Sequence, residues 1–361
     1  MPAPDFAELE CVIQGREAPQ RVHLVELGID EEVLRAMAEQ RLNMTWIPSL
    51  QDRQELYWKQ RVMVYHRLGY DFVPAWPTWH HHPPVRQWLT ADTAGLSRGD
   101  RQWVDEKKGL ITSRADFERF PWDAITADPS TCEWVTRHLS PGMKMTVSAT
   151  LFEHVMENLL GYEGLFYLLY DDPDLAASVF DRWGQIVYRY YESTIGLDSV
   201  GAIFHADDLG YKTSLLVSPA VLRRHVFPWL KRYAALAHAN GKMFWYHCCG
   251  NVYRSGVLKD LIEDVKIDAF HAFQDVILPI AEFQVRYGQQ VACLGGVDVD
   301  CLARLEETPL RAYIRDILER CTPGGRFALG SGNTVTNYVP LGNYLTMLDE
   351  SRCWPLPKAG T

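Results

Sequence analysis

Short apolar runs alternate along this chain with longer stretches whose apolar residues recur every three or four positions. The runs lie at residues 21–28, 70–76, 144–149, 200–208, 242–246, 267–274, 291–298 and 326–333. Unbroken apolar runs of this length bounded by Gly, Asn or Asp read as buried strands. The stretches between them read as helices. Residues 219–240 place Val221, Leu222, Val226, Leu230, Tyr233 and Leu236 near a 3.6-residue period, and residues 302–321 and 341–352 behave similarly. Asp30, ahead of Glu31-Glu32-Val33-Leu34, is a natural N-cap. Eight strands alternating with helices predict an α/β fold, a single (β/α)8 TIM barrel spanning residues 1–361. An open doubly wound sheet is the alternative. It lacks support because Leu27-Gly28-Ile29-Asp30 is no Gly-rich phosphate loop.

The runs end on polar, reactive residues. These are Glu26, Trp76, Ser148, Asp207 with Asp208, His247 with Cys249, His271 with Gln274, Asp298, and Ser331 with Asn333. In such a barrel these ends meet on one face, where chemistry is placed. The fifth run matters most: it passes straight into His247-Cys248-Cys249-Gly250-Asn251. His247-x-Cys249 is a plausible metal-ligand pair, since imidazole nitrogen and thiolate sulfur both suit zinc. Taken singly, each polar end also reads as a cap or turn residue; Asp298 sits where it would start the next helix.

One segment breaks the alternation. Residues 77–142 show no strong periodicity, and a connection this long is expected to be a lid or mouth loop after the second strand. It opens with Trp79-His80-His81-His82 and also carries Trp88, Trp103, Trp122 and Trp134. Three successive His cannot all face one ion. The Trp rings suit either a flat aromatic substrate or the packing of the lid itself.

Composition narrows the function classes. A chain of 361 residues with a net charge of −10 is ill suited to nucleic acid or an anionic membrane, because both require basic patches. No apolar run approaches the roughly 20 residues of a membrane span. The start, Met1-Pro2-Ala3-Pro4-Asp5, lacks an export pattern, so a cytoplasmic location with eight free Cys is expected.

Phe204-His205-Ala206-Asp207-Asp208-Leu209-Gly210, together with Ser218-Pro219, Pro228-Trp229-Leu230-Lys231, His247-Cys248-Cys249-Gly250-Asn251, Gly295-Gly296-Val297-Asp298 and Gly330-Ser331-Gly332-Asn333, resembles the uroporphyrinogen decarboxylase superfamily. The resemblance runs from about Arg21 to the C-terminus and implies the same barrel. The Arg-rich motif by which the true decarboxylases hold a tetrapyrrole is missing; Arg53-Gln54-Glu55-Leu56 is not one. The corrinoid-dependent methyltransferase branch is similar. Its thiol-methylating members bind zinc through His-x-Cys and a later Cys, and here Gly330-Ser331-Gly332-Asn333 stands where that Cys belongs. The greatest similarity is to the veratrol-type aryl methyl ether O-demethylases, for which a Glu, Glu, His metal pattern is matched in spacing by Glu118, Glu133 and His154.

That resemblance implies methyl transfer from a methoxyarene to the Co(I) of a separate corrinoid protein. It implies zinc at Glu118, Glu133 and His154, or alternatively at His247 and Cys249. His205, Asp207, Asp208, His247 and Asn333 are the candidate catalytic residues. Trp76, Trp79, His271, Gln274, Asp298 and Ser331 are the candidates for substrate contact. Zinc-dependent thiol methylation and tetrapyrrole decarboxylation are the alternative activities, and a homodimer is a further expectation.

Overall fold

A computed structural model describes residues 3–105 and 107–356. Seven of the eight runs are strands: β1 (Phe72–Ala75), β2 (Lys144–Val147), β3 (Val200–Ala206), β4 (Met243–His247), β5 (Ala269–His271), β6 (Ala292–Val297) and β7 (Phe327–Ser331). They form one parallel sheet whose spatial order is their chain order. The first run adds to the β7 edge through a parallel bridge between Leu24 and Leu329. Val25 N–H donates to the Leu329 carbonyl, and Leu329 N–H to that of His23. At the other edge, His23 Nδ1 lies 2.7 Å from the carboxylate of Asp71, next to β1. The fold is α/β and TIM-barrel-like.

The sheet curls around a core of its own. Val25, Leu27, Phe72, Phe204, Trp245, Leu294 and Ala328 pack in one buried cluster, joined by Phe6, Leu9 and Ile13 of the helix Phe6–Ile13. Successive strand residues point to opposite faces; the other face packs with the helices in a second, larger cluster. Gly330 shows how tightly the first run is held. A Cβ there would lie 1.8 Å from the Val25 carbonyl oxygen, so only glycine fits.

Helices fall where the periodicity places them, with two departures. The stretch expected at 302–321 is broken into Val299–Arg304 and Glu307–Cys321. Asp30 precedes the helix Glu31–Arg41, but its side chain does not cap it; the carboxylate takes Arg98 and the Asn337 N–H instead.

The segment 77–142 is more ordered than its pattern promised. Trp79–His80 pairs with Thr126–Ala127, and Gln87–Ala91 with Asp100–Val104. Helices Arg114–Arg119 and Ser130–His138 follow. The tip of the second ribbon is tied to the barrel rim: Asp92 accepts from Asn337 Nδ2 at 2.7 Å. No helix among the described residues is long and apolar enough to cross a membrane.

Candidate functional site

The C-terminal ends of β3 and β4 bring three ligand atoms together. Asp208, His247 and Cys249 each direct one towards the same point, all within 4.8 Å of one another. His247 Nε2 lies 3.5 Å from Asp208 Oδ1 and 3.6 Å from Cys249 Sγ. Ligand bonds of about 2.0–2.3 Å at tetrahedral angles give edges of about 3.4–3.6 Å between donor atoms, so both separations suit a zinc-sized ion. The donor set is also chemically apt: carboxylate, imidazole and thiol. Among the described residues no other group of three His, Cys, Asp or Glu converges in this way.

Neighbours hold these groups in place. Asp208 Oδ1 accepts the Cys249 N–H at 2.8 Å, which ties the ends of β3 and β4 together. Burial works against the Asp208 carboxylate, but His247 and the Cys249 N–H hold it below its ordinary pKa. Burial and the nearby Asp208 push the Cys249 thiol well up, a bias that a bound dication would reverse. Asn333 Nδ2 donates to Cys249 Sγ at 3.2 Å. Gly250 has φ +99° and passes within 2.3 Å, measured from a would-be Cβ, of the Gly210 backbone. This lets the turn after Cys249 close over the loop after β3.

Asp208 and His247 of the cluster line a cleft of about 380 Å³ together with Leu27, Trp76, Thr150, Glu153 and Asn333. Glu153, which the sequence reading did not single out, also lines this cleft. Burial, reinforced by the charges of Asp208, Glu157 and Asp207, raises its pKa well above its ordinary value. Glu153 and Glu157, four residues apart in sequence, both line the cleft.

The structure separates the remaining candidates. Glu118 and Glu133 are exposed, one on each of two surface helices, and neither meets His154 in a ligand cluster. Both ring nitrogens of His154 are occupied: Nε2 pairs with His82 Nε2 at 3.0 Å and Nδ1 with Asn158 Nδ2 at 2.9 Å. Its ring stacks on Trp183 at 3.8 Å, and burial with the neighbouring His82 pushes its pKa well down. The matched spacing thus corresponds to no common point in space. The three His diverge as well, since His80 faces Asp128 while His82 faces His154.

His205 and Asp207 sit inside the wall. His205 bonds Tyr191 Oη and Asp207, and Asp207 also accepts the N–H groups of Leu151 and Glu153. Neither is exposed, so they brace the site instead of lining it. His271 and Ser331 are likewise fully buried. Ser331 donates its O–H and N–H to Glu26, whose carboxyl burial pushes up to about 8. Asp298 caps the helix Val299–Arg304 and accepts the Asp275 N–H. Trp79 packs edge-on against Trp183. Of the candidate substrate contacts, only Trp76 lines the cleft, while Gln274 and Asp298 line a second, adjoining cavity. None of the five Trp in 77–142 lines the cleft; Trp88 and Trp103 are exposed partners on the outer ribbon.

Comparison with known proteins agrees with this picture. Residues 135–354, more than half the chain, match the family described as uroporphyrinogen decarboxylase (URO-D). The chain belongs to that family. The URO-D match takes in all the strands from β2 onward and the whole Asp208, His247 and Cys249 cluster. No curated protein matches this URO-D family member. Among solved structures, a methyltransferase from Methanosarcina mazei superposes with a TM-score of 0.66 at 14% identity, over 95% of this chain and 97% of that one. At that identity the likeness establishes the fold alone. A sugar phosphate isomerase/epimerase from Parabacteroides distasonis has a TM-score of 0.40 at 10% identity, over 93% of this chain and 96% of that one. Xylanase B from Clostridium stercorarium has 0.37 at 10% identity, over 62% and 84%. These two scores are too low to bear on function.

Proposed function

We propose that this URO-D family member removes a methyl group from an aryl methyl ether and passes it to the Co(I) of a separate corrinoid protein. The observation that carries the reading is the three-donor cluster, two of whose members line a cleft that also holds one aromatic wall and a carboxyl of raised pKa. A single benzene ring suits a cleft of about 380 Å³ walled by Trp76 and Leu27. The segment 77–142, tied down beside this mouth, acts as the lid of a single-domain barrel.

The chemical difficulty is the leaving group. A phenol has a pKa of about 10, and each unit by which its departure is eased is worth about 1.4 kcal/mol. Asp208, His247 and Cys249 would hold a zinc ion, which supplies Lewis acidity to the ether oxygen. The chain itself does the rest. Trp76 fixes the plane of the ring. Glu153 offers a proton to the departing oxygen, a role for which a carboxyl of raised pKa is fitted. Asn333 holds the Cys249 sulfur by its N–H and limits the electron density that sulfur can give.

Decarboxylation of a tetrapyrrole is disfavoured by the same walls. No Arg or Lys lines the cleft among the described residues, while Glu153, Glu157 and Asp208 do. An acidic wall repels a polyanionic substrate, which needs clustered Arg forks. The test is incubation of the purified protein with 1,2-dimethoxybenzene and reduced corrinoid, following guaiacol and methylcobalt formation. Loss of carbon dioxide from a tetrapyrrole, with no phenol from the ether, would defeat this proposal.

A further inference from the structure

A further cavity lies outside the barrel. It holds about 530 Å³ between the helix Ser130–His138, in the segment after β1, and the helix Pro173–Thr194 ahead of β3. Its rim is exposed at Pro129, Thr136 and Leu197, while its floor is buried at Cys132, Tyr190 and Thr194. We propose that this cavity binds a small, neutral, largely apolar molecule that carries one acceptor oxygen, such as an aromatic ketone or ether, and holds that oxygen on the Tyr190 hydroxyl. The site is independent of the chemistry in the cleft.

Tyr190 supplies the polar contact. The residue is 4% exposed, and its hydroxyl has no hydrogen-bond partner among the described residues. Unlike the sealed hydroxyls of Tyr65 and Tyr246, its oxygen retains accessible surface. The Cys132 thiol stands close enough to act on its pKa, so the hydroxyl end is turned to the cavity floor. Burial raises that pKa well above the ordinary phenol value, so the group keeps its proton and donates. A buried donor without a partner is costly, and an acceptor on the ligand relieves it. The other hydroxyls of the wall have spent their hydrogens or paired with each other: Ser193 Oγ and Thr194 Oγ1 donate to the Tyr190 carbonyl, and Thr136 Oγ1 meets Ser199 Oγ at 2.7 Å.

The rim sets the charge of the ligand. Asp128 and Glu133 stand there against Arg137 alone, and Arg137 already meets Glu55, so an anion is opposed. Asp128 is taken by the Ser130 N–H and His80, and the buried floor presents no carboxylate to a cation. A neutral molecule remains, with its apolar body against Pro129, Leu197 and the Cys132 side chain. The floor also touches the known cleft through rings. Tyr190 packs edge-on against Trp79 at 5.7 Å, Trp79 against Trp183 at 5.2 Å, and Trp183 stacks at 3.8 Å on His154, which lines the cleft.

The probe is acetophenone, with ethylbenzene as its counterpart without the oxygen and benzoate as the anion. Calorimetric titration of the full chain should show saturable binding of acetophenone. Tyr190→Phe keeps the ring and should weaken that binding about three- to tenfold, the loss of one hydrogen bond. Ethylbenzene should bind both proteins alike, and benzoate should bind more weakly than acetophenone. The cleft also admits a benzene ring, so the titrations are repeated with Trp76→Ala, in which the effect of Tyr190→Phe should persist. A second measurement uses the native chain. Burial and Glu133 push the Cys132 thiol up to about 11, so iodoacetamide at pH 9 labels it slowly. Saturating acetophenone should slow the labelling of Cys132, read by peptide mass spectrometry, and leave that of exposed Cys353 unchanged. Equal acetophenone affinity in Tyr190→Phe, tighter binding of benzoate, or an unprotected Cys132 would each overturn the assignment.

Discussion

His247 Nδ1 lies 2.7 Å from His271 Nδ1, and one proton must serve both nitrogens. The rest of the network decides which ring carries it. His271 Nε2 faces the Ser331 carbonyl at 3.1 Å, and a carbonyl only accepts, so that nitrogen bears a proton. Burial, with His247 beside it, holds the His271 pKa well down, so the ring is neutral and its Nδ1 is an acceptor. His247 therefore donates from Nδ1. Its Nε2 faces Asp208 and Cys249, and the hydrogen bond it gives Asp208 is one whose proton a bound cation would replace.

His271→Ala should therefore weaken zinc binding by about ten- to a hundredfold while the fold persists. Competition with a chromophoric chelator measures this. Cobalt(II) substituted at the site gives a second check, through a shift of its thiolate charge-transfer band. An unaltered zinc affinity in His271→Ala would mean that the tautomer is set elsewhere.

Metal content separates the two ligand sets. Asp208→Asn, His247→Ala and Cys249→Ser should each emerge from purification with little zinc. Glu118→Ala and Glu133→Ala should keep it, because both side chains point to solvent. Elemental analysis of the five proteins decides the matter.

Glu153→Gln keeps the shape and removes the proton. Loss of a positioned general acid typically costs about 10²–10⁴ in rate. A fall in demethylation of about a hundredfold or more, with unchanged zinc content, is expected. A variant at full rate would show that the leaving oxygen finds its proton elsewhere.

Buried Glu26 makes stability depend on pH. Its folded pKa is raised to about 8 by burial, against about 4.3 for a free Glu side chain. Its stabilising effect is complete below the unfolded value and fades as pH rises through the folded one. Urea titrations should find the wild type weaker at pH 8 than at pH 5 by a few kcal/mol from this group alone, because each tenfold difference in proton affinity between the two states is worth about 1.4 kcal/mol. Glu26→Gln should flatten that slope.

Gly330→Ala tests how the first run is held. The added methyl would meet the Val25 carbonyl at 1.8 Å, and backbone cannot swing aside as a side chain can. A loss of about 3 kcal/mol or more is expected, since forced overpacking commonly costs about 1–3 kcal/mol even where neighbours yield. Thermal unfolding measures it.

The alternation of apolar runs and helical stretches determined the strand order around the sheet, because each parallel strand needs a crossover and each crossover is written in period. The ends of those runs also pointed to Asp208, His247 and Cys249, whose ligand atoms the structure brings within 4.8 Å of one another where strands stop. Spacing along the chain misled at Glu118, Glu133 and His154: residue count fixes contour length, not the direction in which a side chain leaves its helix. Only tertiary structure could pair His247 with His271, seat Asn333 on Cys249, turn Asp207 inward and Asp208 outward, and set Glu153 beside the charges that raise its pKa. These facts depend on which loops pack together and how much water they exclude, and burial and charge, unlike periodicity, are properties of neighbours distant in sequence.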